Sequence, residues 1–529
     1  MAKPTQHAKR SKPAARAKST ASSKPAAKAK PAAKARPAAK ARPAARAKPA
    51  APARPAAPAF DAGKVRDTGD VFARIEREKA GYLSELKDYL RIPSISTDPA
   101  YAADVDRCAD WLIARMRAAG LATEKIATAG HPLVYAEWTG AGPQAPTVLF
   151  YGHYDVQPPD PLAEWRHAPF EPTEEGEVLV ARGATDDKGQ SYTHVKAVAA
   201  MLAQRGRLPV NVKFIVEGEE EAGGEAVDKY VRADRGKKLG CDCVVISDTS
   251  MWAAGVPAIT YGLKGLVYFE IRVQGPNRDL HSGEYGGGVT NPANALSEII
   301  ASLRDSKSGR VLVPGFYDDV RPLAGWERKE FVKLGLDEAA VARDLGVAAL
   351  TGERGYSYIE RTWARPTCDV NGLWSGYQGK GAKTVLPASA GCKVSFRLVA
   401  DQTPAKITAL VRAHVARVAP PGVRVEVEYL HGAEAVTVDA TGPYAQAALD
   451  AMTDVWGERG RRIRTGGSIP IVAAFAQALG APVLLLGFGL EEDRLHSPNE
   501  KFDIPNFYGG IRSVARLLDR VAGFAGVKA

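Results

Sequence analysis

Short apolar runs and helical patterns alternate through the first part of the chain. Residues 147–151, 210–216 and 243–247 are apolar runs of strand length, and a helix is predicted near residues 196–204 between the first two. Such alternation is typical of an α/β domain. We therefore predict a mostly parallel sheet with helices on both faces, and in such sheets ligands gather at the carboxyl ends of the strands.

A different pattern begins near residue 257. Residues 266–273, 391–399 and 423–429 alternate apolar and polar side chains, and two helices are predicted among them, near 294–303 and 404–418. This pattern predicts an antiparallel sheet that is covered on one face, as in an α+β module of ferredoxin-like type. An apolar run at residues 482–486 then resumes the first pattern, so the module is predicted to be inserted into the α/β domain.

These patterns divide the chain into four predicted segments. Residues 1–64 are a disordered Lys/Arg/Ala/Pro-rich tail, 65–257 the first part of the α/β domain, 258–432 the inserted module and 433–529 the second part of the α/β domain. Within the insert, residues 305–365 show no clear period, and we expect an irregular, partly helical structure there.

The positive charge of the chain is concentrated in its tail. Residues 1–60 contain 16 of the 71 Lys and Arg residues and no Asp or Glu, so 55 basic residues face 60 acidic ones in the remainder. Proline recurs every six residues from Pro31 to Pro55, a spacing that places basic residues along one side of an extended polyproline helix. Weak, salt-sensitive contact with nucleic acid or another polyanion and a solvated tail without a partner are both compatible with this composition.

The bulk composition indicates a soluble globular protein. Hydrophobic residues make up 45% and charged residues 25% of the chain, and no apolar stretch approaches the roughly 20 residues that a membrane helix needs. The basic N-terminus lacks the apolar segment of a secretory signal, and the five cysteines are scattered without a metal-binding pair. We therefore expect a cytoplasmic protein that has no contact with a membrane.

Polar residues with metal-binding side chains follow the predicted strands. Each would be ordinary alone, as a surface turn, an acidic helix start or a packed histidine, but together they form a ligand set for two divalent cations such as Zn²⁺ or Mn²⁺. The five residues are His153, Asp186, Glu221, Asp248 and His496. Glu220 is a spare carboxylate that could serve as a base, and Asp155 could orient the His153 imidazole.

The motifs around these residues resemble a known enzyme family. They are Gly152-His153-Tyr154-Asp155, Gly183-Ala184-Thr185-Asp186-Asp187, Glu219-Glu220-Glu221, Ser247-Asp248 and Leu495-His496-Ser497. Over about residues 70–525 the chain is similar to the dinuclear zinc/manganese metallopeptidases that include carnosinase and cytosolic non-specific dipeptidases. Carboxypeptidase G and aminoacylase are more distant members of this family, and the carnosinase-like branch is the closest.

The resemblance implies a role for each residue of the metal set. Asp186 would bridge two metal ions, His153 and Asp248 would complete one site, and Glu221 and His496 the other. Glu220 would be the general base that deprotonates a water bridging the metals, and Asp155 would support the site from behind His153. The peptide bond between Asp186 and Asp187 would be cis.

The resemblance also implies roles for the insert, as a lid and dimerisation domain of a homodimer. His281, within Asp279-Leu280-His281-Ser282-Gly283, would reach into the active site of the partner subunit and stabilise the oxyanion. The small peptide substrate would be bound through four residues, Thr384, Arg397, Gly467 and Ser468. Gly379-Lys380-Gly381 lacks the spacing of a nucleotide-binding loop.

These observations favour a metal-dependent dipeptidase that hydrolyses dipeptides with a free C-terminal carboxylate. An N-acyl amino acid amidohydrolase is the alternative within the same family. A polyanion-binding protein that carries an inactive hydrolase fold is a third hypothesis, although no ligand residue and no general base is missing from the motifs.

Overall fold

The computed structural model describes residues 60–61, 63, 65–467, 469 and 471–524. The predictions for residues 1–59, disorder and polyanion contact, lie outside these residues, as does Ser468. Thirteen α-helices lie within the described ranges: α1 Gly69–Leu90, α2 Ala102–Ala118, α3 Lys188–Arg205, α4 Glu225–Asp234, α5 Ser282–Tyr285, α6 Pro292–Leu303, α7 Gly325–Lys333, α8 Glu338–Asp344, α9 Tyr358–Ala364, α10 Pro404–Val418, α11 Pro443–Trp456, α12 Ile471–Leu479 and α13 Ile504–Val521.

Eighteen strands lie in the same ranges: β1 Ala122–Ile126, β2 Leu133–Trp138, β3 Thr147–His153, β4 Thr173–Glu175, β5 Val178–Val180, β6 Asn211–Glu217, β7 Cys243–Ile246, β8 Ala258–Leu263, β9 Gly265–Gln274, β10 Leu280–His281, β11 Thr367–Ser375, β12 Val385–Leu386, β13 Ser389–Leu398, β14 Arg424–Ala433, β15 Val436–Thr437, β16 Arg461–Thr465, β17 Val483–Leu486 and β18 Lys501–Asp503.

The central sheet has a parallel middle and antiparallel flanks. Its strand order is β1-β2-β6-β3-β7-β17-β8-β15, and β16 also pairs with β8. Strands β6, β3, β7 and β17 are parallel neighbours, so their carboxyl ends meet at one edge of the sheet. Strands β1, β2 and β15 add antiparallel pairs at the flanks. A mixed α/β fold with a mainly parallel central sheet was predicted and is confirmed.

Helices cover both faces of the central sheet because its strands are apolar on both sides. Phe150 and Val148 of β3 face a core that includes α1, α2, α3, α11 and α13. Leu149 and Tyr151 of the same strand face a second core with α4 and α12. Both faces of the central sheet are therefore buried, and functional polar residues are expected at the ends of its strands.

A second sheet is antiparallel throughout, with the order β11-β13-β9-β14. Val267, Phe269 and Ile271 of β9 are buried, whereas the residues between them are only half-buried. The buried side packs against Ile299 of α6 and Val411 of α10. The alternation seen in the sequence is thus that of a sheet covered by two helices on one face.

The change between the two sheets comes later in the chain than the predicted boundary at residue 258. Strand β8 still pairs with β17 and β16 of the central sheet, and the antiparallel sheet begins at Gly265. A Cβ atom at Gly265 would lie 2.6 Å from the carbonyl oxygen of Ala433, so the outgoing and returning segments pass in close contact there. The sequence places β8 in the insert because Pro257 breaks the pattern, although all six residues of the strand are buried.

Residues 305–365 contain three helices, which the sequence pattern predicted only as a partly helical region. Phe331 of α7 and Ile359 of α9 pack with Tyr261 of β8 and Ile463 of β16. This segment therefore packs against strands β8 and β16 of the central sheet and is not only an extension of the inserted module. None of the helices in the described ranges is long and apolar enough to cross a membrane.

Candidate metal centre

The candidate ligands are brought together by the parallel middle of the central sheet. His153 is the last residue of β3, Glu221 follows β6 by four residues, and Asp248 follows β7 by two. Asp186 lies two residues before α3, and His496 lies in the loop between β17 and β18. Since β6, β3, β7 and β17 are neighbours, these side chains converge at one edge of the sheet.

Two groups of potential ligand atoms share Asp186. His153, Asp186 and Asp248 form one group, and Asp186, Glu221 and His496 form the other; within each group the ligand atoms lie within 4.8 Å of one another. The Nε2 atoms of His153 and His496 lie 3.1 and 3.0 Å from different oxygens of Asp186. The Asp186 carboxylate therefore faces both groups, one oxygen toward each.

The donor set fits two divalent cations. Two imidazoles and three carboxylates are the ligands that zinc and manganese accept in proteins. His153 has no exposed surface and Asp186 is 6% exposed, while Glu221 and Asp248 are half-buried. Burying so many carboxylates in one place is unfavourable unless positive charge offsets them.

The pKa values of these groups also indicate that the site requires positive charge. Burial raises the pKa of Asp248, and repulsion from Asp186 adds to the shift. Burial, followed by repulsion from Asp186, raises the pKa of Glu221 to about 8. The hydrogen bond to Asp186 raises the pKa of His496 to about 9. Without cations, protons on these groups therefore supply the positive charge, and a metal that binds has to displace them.

Asp155 and Glu220 lie beside the ligand candidates. Nδ1 of His153 lies 3.1 Å from the backbone carbonyl oxygen of Asp155 and 3.4 Å from its Oδ1 atom, which leaves the Nε2 atom directed at Asp186. The two oxygens of Asp155 accept the backbone N–H groups of Glu220 and Glu221, at 3.3 and 3.1 Å. One buried carboxylate thus positions both a histidine ligand and the turn that carries the candidate base.

The Glu220 carboxyl group has the environment that a proton acceptor needs. Burial raises its pKa, and attraction to His153 offsets that shift only in part. Its neighbour Glu219 points elsewhere, since Oε1 of Glu219 accepts the backbone N–H of His131 at 2.9 Å. A carboxylate with a raised pKa holds a proton more readily than an exposed one, as general base catalysis requires.

Glu500 is a supporting residue that the sequence patterns do not reveal. Its carboxylate is fully buried and accepts the backbone N–H groups of Gly183, Thr185 and Asp186, each at 3.0 Å. It also accepts a hydrogen bond from Arg182 at 2.8 Å. Glu500 therefore holds the loop that presents Asp186. Its partners lie more than 310 positions away in the sequence, so no local pattern indicates the role.

Gln157 is a second contact that the sequence does not indicate. Its side-chain amide donates to Oε2 of Glu221 at 2.7 Å and so orients that carboxylate.

The peptide bond between Asp186 and Asp187 is cis, as the resemblance implies. Asp187 itself turns away from the ligand groups, and its Oδ2 atom accepts the backbone N–H of His153 at 3.2 Å.

The residues predicted for substrate and oxyanion lie outside this cluster. His281 is exposed on β10 and Thr384 is exposed directly before β12, the partner strand of β10, where the Thr384 carbonyl accepts the Ser282 N–H at 3.1 Å. Among the described contacts, none joins the His281 side chain to the five ligand candidates. Arg397 is half-buried on β13, and Gly467 is exposed directly after β16.

Comparison with known proteins places the chain among metallopeptidases. The model of Peptidase family M20/M25/M40 matches residues 149–520. The Cys-Gly metallodipeptidase of Candida albicans is 32% identical over 470 residues, which cover 85% of this chain and 96% of the relative. The crystal structure of human carnosine dipeptidase 1 is 30% identical, with a TM-score of 0.73 and coverage of 87% and 99% of the two chains. A metallo-carboxypeptidase of Sulfolobus solfataricus is 33% identical, with a TM-score of 0.73 and coverage of 83% and 99%.

Proposed function

Because the chain belongs to peptidase family M20/M25/M40, we propose that it is a metal-dependent dipeptidase acting on dipeptides with a free C-terminal carboxylate. The observation that carries this proposal is the pair of ligand groups that share Asp186, with Glu220 beside them. The Cys-Gly and carnosine dipeptidases among its relatives support dipeptides as the substrate class.

The ligand set supports two zinc or manganese ions per subunit. His153 and Asp248 would hold one ion and Glu221 and His496 the other, with Asp186 between them. Such cations, when bound, polarise a carbonyl group and lower the pKa of water. The protein's own part is to hold these ligands, which it does through Asp155, Gln157 and Glu500.

Glu220 would carry the proton through the reaction. As a carboxylate it takes a proton from the attacking water, and as a carboxylic acid it gives that proton to the leaving amine of the cleaved peptide bond. A raised pKa serves both steps, because the group must gain and lose the proton near neutral pH. Arg397 and the backbone N–H groups at Gly467 and Ser468 would bind the substrate's C-terminal carboxylate.

The second sheet supports a homodimer in which this sheet acts as lid and contact surface. Its edge strands expose large apolar side chains, among them Leu373 at 63% and Val370 at 43% on β11 and Tyr429 at 39% on β14. Exposed apolar edges of this kind are characteristic of surfaces that pair with another chain. His281 projects from the same part of the molecule and would complete the oxyanion site of the partner subunit.

Replacing Glu220 by Gln tests the proposed mechanism. We expect turnover of a dipeptide to fall by roughly 10²- to 10⁴-fold because the amide cannot accept the proton, while metal content stays as in the wild type. Glu219→Gln is the matched control and should keep activity within a few fold. The assays should use dipeptides and N-acyl amino acids as substrates, each with Zn²⁺ and with Mn²⁺. Near-normal activity of Glu220→Gln would refute the role of this residue.

Mixed dimers test the role of His281. His281→Ala and Glu220→Gln should each be inactive, because each lacks one part of every composite site. After subunit exchange, half of the dimers contain one complete site, so activity should return to about a quarter of the wild-type value. If no activity returns although exchange is demonstrated, His281 does not act in the partner's site.

Contact of residues 1–60 with a polyanion is supported by their charge alone. A gel-shift assay should show salt-sensitive binding of duplex DNA by the full chain and much weaker binding by residues 61–529. Equal binding by the two proteins would remove this proposal.

A further inference from the structure

Several basic side chains lie near Arg397 and near the Gly466–Gly467 loop, on strands that are joined through Lys264. Leu263 of β8 pairs with Thr465 at the end of β16, and Gly265 and Leu266 of β9 pair with Leu398 and Arg397 of β13. Lys264 is the residue between these two pairings. It therefore lies between the strand that carries Arg397 and the strand that leads into the loop.

The Lys264 ammonium group is buried in this position. The residue is 3% exposed, and its Nζ atom donates to the carbonyl of Arg361 at 3.2 Å. Burial lowers its pKa to about 7, and repulsion from the Arg397 guanidinium contributes to the shift. Lys264 and Arg397 thus place two basic groups side by side, and attraction to Asp369 offsets only part of the shift in the Lys264 pKa.

A cavity of about 160 Å³ lies between α9 and β11, and one of its lining residues is Arg361, whose carbonyl accepts the hydrogen bond from Lys264. Arg304, Arg361 and Arg365 line it, together with Thr362, Thr367 and Asp369. Contact between this cavity and the candidate substrate loop is close, because a Cβ atom at Gly466 would lie 3.7 Å from the Thr362 carbonyl. Thr367 is also the cross-strand partner of Arg397.

The cavity retains positive charge after its internal ion pairs are counted. Glu353 is taken up by Arg365, with contacts of 2.7 and 2.9 Å, and by Arg310 at 2.6 Å. Arg361 forms an ion pair with Glu338 at 3.9 Å and donates to the carbonyl groups of Tyr356 and Thr351 at 2.8 and 3.2 Å. Among the described residues, neither Arg304 nor Arg397 forms an ion pair. Asp369 is the remaining acidic residue of the lining.

We propose that this cavity is a binding site for a carboxylate side chain on the C-terminal residue of the substrate. Arg397 would bind the main-chain carboxylate, and the cavity with Arg304 and Arg361 would bind a second carboxylate a few ångströms further on. The preferred substrates are then dipeptides that end in Glu or Asp. This inference rests on the proposed dipeptidase function and adds the class of side chain.

Two dipeptides of equal shape test the inference, Ala-Glu and Ala-Gln, with Ala-Gly as a reference substrate. A charge-assisted contact is worth enough to make kcat/KM for Ala-Glu roughly 10- to 100-fold higher than for Ala-Gln. In Arg304→Gln this ratio should fall toward 1 because kcat/KM for Ala-Glu decreases. Lys393→Gln is the matched control, since it removes an exposed positive charge from the same strand as Arg397 and should leave the ratio unchanged.

Inhibition by the free products gives a second measurement on the wild-type enzyme, which does not depend on the stability of a variant. L-glutamate should inhibit competitively at concentrations at least tenfold lower than L-glutamine. Equal kcat/KM values for Ala-Glu and Ala-Gln in the wild type would overturn the inference and leave the dipeptidase function intact. A high ratio that Arg304→Gln and Arg361→Gln both retain would overturn the assignment to this cavity. Failure to cleave any of the three dipeptides would instead refute the proposed function, and the inference with it.

Discussion

The crowding of carboxylates at one edge of the central sheet is the constraint on which the site depends. Asp155, Asp186 and Asp187 are buried, and Glu220, Glu221 and Asp248 are at least half-buried beside them. Burial and mutual repulsion raise the pKa of several of these groups, which means that the folded protein holds them at a cost in free energy. Divalent cations would remove that cost, so metal binding and stability of the site are coupled.

The fold meets this constraint by giving each carboxylate a defined partner. Asp155 accepts two backbone N–H groups from the turn after β6, and Glu500 accepts three from the loop before α3. The parallel strands bring the loops together, but these buried acceptors determine where the ligand atoms point. Catalysis and metal binding in this account therefore rest as much on Glu500 and Asp155 as on the residues that would touch the metals.

Much of the candidate metal site could be predicted from the sequence because His153, Glu221 and Asp248 each follow an apolar run that forms a strand. A strand such as Thr147–His153 ends in its functional residue, and parallel neighbours place such ends side by side. The alternation along Gly265–Gln274 likewise reveals a sheet with one covered face. Glu220 is proposed as the general base for a related reason, since it stands next to a ligand candidate in a run of acidic residues.

Other features could not be predicted because their partners are distant in the chain. The contacts of Glu500 span more than 310 residues, and the burial of Lys264 depends on the meeting of β8, β9, β13 and β16. The helices of residues 305–365 pack on the central sheet through Phe331 and Ile359, but their short amphipathic patterns do not indicate that surface. The local pattern of apolar residues predicts a helix or a strand. The position of that element in the molecule depends on contacts with residues that are distant in the sequence.

We propose that one carboxylate, that of Asp186, serves two metal ions. The number of bound metal ions tests this sharing. It should be measured by mass spectrometry, after dialysis against buffer with trace zinc, on the wild type and on Asp186→Ala, Asp248→Ala and His496→Ala. The wild type should hold two ions per chain, Asp248→Ala and His496→Ala about one each, and Asp186→Ala fewer than one. An Asp186→Ala protein that folds normally and still retains two ions per chain would contradict it.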